Sequence, residues 1–215
     1  MMKQFKIIFL GLLLFYFGDS VEAQSVKLLA SESKASIRGL SVVSDKMIWV
    51  SGSGGTVGRS TDGGNNWKWF TIKGFEKTDF RDIEAFDETS AVIMGIGEPA
   101  YILRTADGGD TWKVVYENKT KGMFLDAMEF WNDHSGIVVG DPINNKIFIA
   151  RSFDGGITWK PMHPDLRPAV DSGEAMFASS GTNVRKLTNQ EAVIITGGLR
   201  SRLLIRNNKI DLPVL

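Results

Sequence analysis

One phrase returns three times in this chain. It reads Ser60-Thr61-Asp62-Gly63-Gly64-Asn65-Asn66-Trp67, then Thr105-Ala106-Asp107-Gly108-Gly109-Asp110-Thr111-Trp112, then Ser152-Phe153-Asp154-Gly155-Gly156-Ile157-Thr158-Trp159. The aspartates stand 45 and 47 residues apart; an Arg precedes each copy (Arg59, Arg104, Arg151) and a Lys follows each Trp (Lys68, Lys113, Lys160). A fixed period of this length means that one supersecondary unit is stacked several times. The residue types suit a tight turn between two strands. Gly supplies positive φ, a fixed Asp carboxylate accepts the N–H groups such a turn leaves unpaired, and Trp packs back between neighbouring sheets. The acids Asp62, Asp107 and Asp154, with Gly64, Gly109, Gly156 and Trp67, Trp112, Trp159, are therefore read as structural staples. A calcium loop would need alternating oxygen ligands over about twelve positions, and Gly-Gly after each Asp breaks that spacing.

The surroundings repeat too. Two strand-like runs precede each phrase: Leu40 to Val43 and Met47 to Val50, Ile83 to Phe86 and Ala91 to Met94, Ala127 to Trp131 and Gly136 to Val139. A Gly-rich loop, a strand leading into the phrase and a strand leaving it complete each unit. This predicts an all-β β-propeller of four-stranded antiparallel blades, with blades over 35–72, 79–117, 123–163 and 173–215. The fourth is degenerate: Glu174 to Phe177 matches a first strand, and Asn207-Asn208 stands where the phrase should be. Val26 to Leu29 then resembles an outgoing fourth strand with no first three before it, a closing strand within 24–34. The expectation is a fragment of a six- to eight-bladed ring, with a closed four-bladed ring as the alternative.

Before the repeats, Lys3 and Lys6 precede the apolar run Ile7 to Phe17, and Val21-Glu22-Ala23 offers a cleavage site. This predicts a signal peptide over 1–23, a secreted or periplasmic bacterial protein, and no membrane span after cleavage. With 25 basic and 25 acidic side chains there is no basic stripe for nucleic acid. Cys is absent and the two His, His134 and His163, are isolated, so neither a metal site nor a cofactor is expected.

The Ser/Thr-x-Asp-x-Gly-x-Thr-Trp pattern resembles the Asp-box, or bacterial neuraminidase (BNR) repeat. The Arg-Ser-x-Asp-Gly-Gly-x-x-Trp phrase, Ile37-Arg38-Gly39-Leu40 and Phe80-Arg81-Asp82-Ile83 are similar to secreted bacterial propellers related to the photosystem II stability/assembly factor. That resemblance implies a binding or assembly role on a propeller. Some such proteins carry an oxidoreductase label, but no Gly-x-Gly-x-x-Gly opens a helix after a strand here. Sialidases share the box without sharing an activity by that fact. The Phe-Arg-Ile-Pro motif is absent, and Tyr101 and Tyr116 fall on outer strands.

In a four-stranded blade the start of strand one and the loop after strand two share a face, opposite the Asp-box. At strand one, Arg38 aligns by sequence with Arg81 and Leu125, and the next position reads Gly39, Asp82, Asp126 and Glu174. The loops after strand two carry Glu98, Asp141, Arg200 and Arg202. Arg38, Arg81, Glu98, Asp141, Arg200 and Arg202 form the expected binding rim, for a protein or carbohydrate ligand on the channel face. Asp82, Asp126 and Glu174 are the candidate catalytic carboxylates should the chain be a glycoside hydrolase. A non-catalytic binding propeller is the leading expectation.

Overall fold

The computed structural model describes residues 26–29, 33–179, 181–188, 191–206 and 212–214; the expected signal segment and the Asn207-Asn208 turn lie outside them. The described chain is all β apart from one 3-10 turn at Pro164–Leu166. Blade one is β1 (Ile37–Val42), β2 (Ile48–Gly52), β3 (Thr56–Ser60) and β4 (Lys68–Thr71), hydrogen-bonded in that order. Blade two is β5 (Phe80–Ala85), β6 (Ala91–Gly95), β7 (Ala100–Thr105) and β8 (Lys113–Asn118). Blade three is β9 (Leu125–Phe130), β10 (Gly136–Ile143), β11 (Lys146–Ser152) and β12 (Lys160–Pro161).

Blade four differs. Its first strand is not Glu174 to Phe177. Glu174–Ala175 is β13, which pairs with β16 (Gly197–Gly198) in a separate two-stranded ribbon. The blade itself is β14 (Val184–Lys186), β15 (Ala192–Ile195), β17 (Leu203–Arg206) and β18 (Leu212–Val214).

The core lies in the seams between blades. Ala91 and Ile93 of β6 pack with Trp49, Val57 and Ile83 at the first seam. Val92 and Met94 of the same strand pack with Leu125, Met128 and Val138 at the second. Ala127, Ile137, Val139 and Ile147 meet Met176, Val184 and Ile194 at the third. A second strand thus buries both faces, which is why it reads as an unbroken apolar run rather than an alternating one.

Each Asp-box is closed by the same bonds. The Ser or Thr oxygen accepts the N–H of the second Gly (Gly64 to Ser60 2.8 Å, Gly109 to Thr105 3.0 Å, Gly156 to Ser152 2.8 Å). The Asp accepts the N–H four residues on: Asn66 at 2.8 Å, Thr111 and Thr158 at 2.9 Å. Both glycines of every box have positive φ, between 70° and 93°. Trp112 then meets Trp49 of the preceding blade edge-to-face at 6.4 Å.

Boxes also receive the blade before them. Lys68 bonds Asp110 at 2.6 Å, and a Cβ on Gly109 would lie 3.0 Å from the Phe70 ring. Two residues apart in the same way, Lys27 reaches Asn65 at 3.4 Å and Leu29 lies 2.8 Å from a Cβ built on Gly64. Residues 26–29 therefore sit on blade one as β4 sits on blade two. On the side of β1 that faces away from blade two, Leu40 and Val42 are 64% and 62% exposed.

Candidate functional site

Strand pairing fixes which residues are equivalent around the inner strands. In each of the first three blades a Gly of the second strand pairs with the residue that opens the first strand: Gly52, Gly95 and Gly140 pair with Ile37, Phe80 and Leu125. The register slips by one residue after each of these pairs, a β-bulge. Arg38, Arg81 and Asp126 are thus the bulged residues, followed by Gly39, Asp82 and Ala127. In blade four, Val184 pairs with Ile194 as Ile83 pairs with Ile93, so Thr182 and Asn183 take these two places. The sequence alignment of Asp82 with Asp126 and Glu174 is corrected accordingly: Asp126 stands one place earlier, and Glu174 belongs to the ribbon before the strand. The bulge is the cause, because it adds a residue that apolar patterning does not mark.

After the bulge the side chains alternate. Those of Gly39 and Ser41, Asp82 and Glu84, and Ala127 and Glu129 face the following blade. Ser41 accepts the N–H of Ala85 at 3.0 Å, Asp82 accepts that of Met128 at 2.7 Å, and Glu129 holds Arg185 at 2.8 Å. Each inner strand is tied to the next by a polar side chain.

The candidate carboxylates are consequently buried and not set on an open rim. Asp82 is 8% exposed, and its other oxygen accepts the N–H of Ile83 at 2.9 Å. Burial, opposed by these two amides, pushes its pKa up to about 7. Glu84 is pushed up to about 8 by burial and by the neighbouring Asp82. Asp126 is fully buried, and neither carboxylate oxygen has a hydrogen-bond partner; the amides of Ala178 and Asp141 face it without reaching bonding geometry. Burial, then the Asp141 charge, raises it to about 8. Glu174 is the opposite case: Arg202 at 2.8 Å, Thr196 at 2.5 Å and Asp171 N–H at 3.1 Å satisfy it, and they outweigh burial to lower its pKa.

The rim residues do share one face. Ser53 N–H bonds Ser36, Ile96 N–H bonds Asp79 and Asp141 N–H bonds Phe124, so loops after strand two lie against the starts of first strands. The boxes dock at the other end: Gly63, Gly108 and Gly155 N–H bond Lys46, Thr89 and His134 in the turns between strands one and two. Most rim charges are already engaged. Arg81 lies 3.6 Å from Asp79, Glu98 accepts Gly122 N–H at 3.0 Å, Asp141 accepts Met176 N–H at 3.1 Å, Arg200 pairs with Asp171 and Arg202 with Glu174. Arg38 is exposed and has no ion-pair partner among the described residues.

Sequence reasoning passed over Glu84, Glu129, Arg185 and the segment Met176–Ser179. The two glutamates carried a signal: a charge two residues after the bulge-following position of an inner strand must point into a seam. Trp131 is buried and donates to Glu191 O of the next blade at 3.2 Å. The Arg before the first two boxes reaches forward: Arg59 bonds Glu88 O at 2.5 Å and Arg104 bonds Gly155 O at 3.0 Å.

Residues 19–123 match the family model described as photosynthesis system II assembly factor YCF48, and residues 150–161 match the BNR/Asp-box repeat. No curated protein matches the chain. Among solved structures, it is similar to YCF48 bound to D1 peptide, with TM-score 0.60 and 19% identity over 85% of this chain and 55% of that one. It is similar to YCF48 from Cyanidioschyzon merolae, with TM-score 0.62 and 17% identity over 87% of this chain and 58% of that one. An ancestral GH74 enzyme aligns with TM-score 0.56 and 14% identity over 83% of this chain and 25% of its own. The chain thus spans little more than half of the two YCF48 structures. These likenesses establish a BNR-type propeller fold.

Proposed function

We propose that the chain is an exported, non-catalytic Asp-box propeller that binds a protein partner on the face where its first strands start. The burial of the candidate acids carries this reading. Asp82 is committed to main-chain N–H groups, and Glu174 to Arg202, Thr196 and a main-chain amide. A glycosidase needs two carboxylates open to one sugar ring, one as acid and one as base or nucleophile. What the face offers instead is exposed charge, Arg38, Glu98 and Arg200, on short loops held by main-chain bonds. The similarity to a YCF48 structure bound to a peptide supports a protein ligand over a glycan.

The test uses charge reversal on each face. Arg38→Glu with Arg200→Glu should abolish cross-linking to a partner in the envelope fraction of the producing cell. Lys113→Glu with Lys160→Glu, beside the boxes, should leave it intact. Equal cross-linking by both variants would refute the assigned face.

One observation favours a hydrolase as the second reading. Asp126 stays protonated up to about pH 8, as a general acid must at neutral pH. Turnover of any aryl glycoside that disappears in Asp126→Asn would establish it.

A further inference from the structure

On the inner strand β9 the carboxyl of Asp126 is buried with no hydrogen-bond partner among the described residues. Its neighbours are acidic or neutral. Asp141 approaches it from the end of β10, and Met176–Ser179 covers it, with Ala178 6% exposed and its amide facing the carboxyl. Asp82 lies beside Gly181, just beyond that segment, its Oδ2 3.4 Å from a Cβ built on Gly181. Arg185, which lies within electrostatic reach of Asp82, is held by Glu129. Two aspartates therefore converge under a short segment, and one has both oxygens buried without a partner. A buried orphan acceptor of this kind calls for a donor.

We infer that Asp126 and Asp141 form a receptor for a cationic N–H group, a lysine or arginine side chain of the bound partner, with Met176–Ser179 as its cover. The inference rests on the protein-binding reading of this face and names the chemistry of the partner there. A metal ion fits poorly, because no group of three His, Cys, Asp or Glu able to hold one occurs among the described residues. An N–H cation needs only two acceptors, and by displacing the Asp126 proton to solvent it bonds a carboxylate, the strong, charge-assisted kind of bond. The cover is built to be exchanged. Met176 N–H already occupies one oxygen of Asp141 at 3.1 Å, the place an incoming N–H would take. The segment links β13 of the ribbon to β14, the first strand of blade four, and the Phe177 side chain is half exposed. Besides the packing of Met176 in the third seam and the burial of Ala178, the segment is tied by Asn183, whose amide is placed to bond both main-chain groups of Phe177.

The experiment titrates the full chain with n-butylammonium and with ethylguanidinium, following amide resonances of Asp141, Met176 and Ala178. 1-Butanol serves as the neutral control of equal shape. Saturable shifts with either cation and none with butanol are expected. Loss of a charge-assisted bond should weaken binding about tenfold or more in Asp126→Asn, while Asp165→Asn, on the 3-10 turn, should bind normally. Butanol acting as well as the cations, undiminished binding by Asp126→Asn, or a crystal soaked with butylammonium that shows only an ordered water at Asp126 would overturn the inference. If cation binding fails while partner cross-linking still depends on Arg38 and Arg200, this receptor alone is lost and the protein-binding reading stands.

Discussion

Replacing Asp126 by Asn should change how stability depends on pH more than it changes stability itself. In the folded chain the carboxyl is pushed up to about 8; its ordinary value is 3.8. The folded state therefore holds this proton more tightly than the unfolded state does. The sign follows: stability is greatest below about pH 4 and falls as pH rises towards 8, by up to about 1.4 kcal/mol per pH unit. By pH 8 the loss is of the order of 5 kcal/mol, comparable to the whole stability of a small domain. Asn keeps the shape and cannot ionise, so this loss disappears. Its amide, also short of partners, costs about 1–3 kcal/mol at every pH. The variant should thus be less stable than the parent at pH 4 and more stable at pH 8. Urea unfolding of both proteins across that range measures the crossing. Parallel stability curves would refute the reasoning, since they would mean that Asp126 is solvated or paired in the folded state.

Other expected outcomes follow from the boxes and seams. Asp107, held down to about 2 chiefly by the Thr111 side chain and amide, contributes stability that is present above about pH 4 and lost as pH falls towards 2; Asp107→Asn should flatten the acid side of a melting-temperature profile over that window. Gly156→Ala puts a Cβ 2.6 Å from Val92 Cγ2 at φ 79°, and should cost about 2–3 kcal/mol in urea unfolding. Arg104→Ala removes the bond to Gly155 O and should cost about 1–2 kcal/mol. Arg104→Lys, lacking the Nε donor, should not restore it, so full restoration in a thermal melt would show that charge alone holds this seam.

The repeat was legible because its residues are forced. Only Gly takes the two positive φ values of each box, and Ser60, Thr105 and Ser152 must supply an oxygen for the amides those turns leave open. Blade four was less legible because its landmark is missing. Without a box, Glu174 looked like the counterpart of Asp82, whereas pairing places Asn183 there. The carboxylates misled for a similar reason. A bulge shifts side-chain direction by one residue with no mark in the apolar pattern, so a sequence that reads as a charged rim folds with Asp82 and Asp126 turned into the seams.

The fit of Lys27 and Leu29 on the first box has a wider meaning. A box glycine asks only for an apolar side chain from whatever lies before it, and four residues suffice to answer. At the first two boxes the junction is therefore a plug on one side and a socket on the other, whereas at the third Gly156 meets Val92 of β6. Whole repeats that meet at a plug and socket can be gained or lost by the gene without that joint being redesigned. The seams of the inner strands are where the blades differ, since Gly39, Asp82 and Ala127 occupy the same place there.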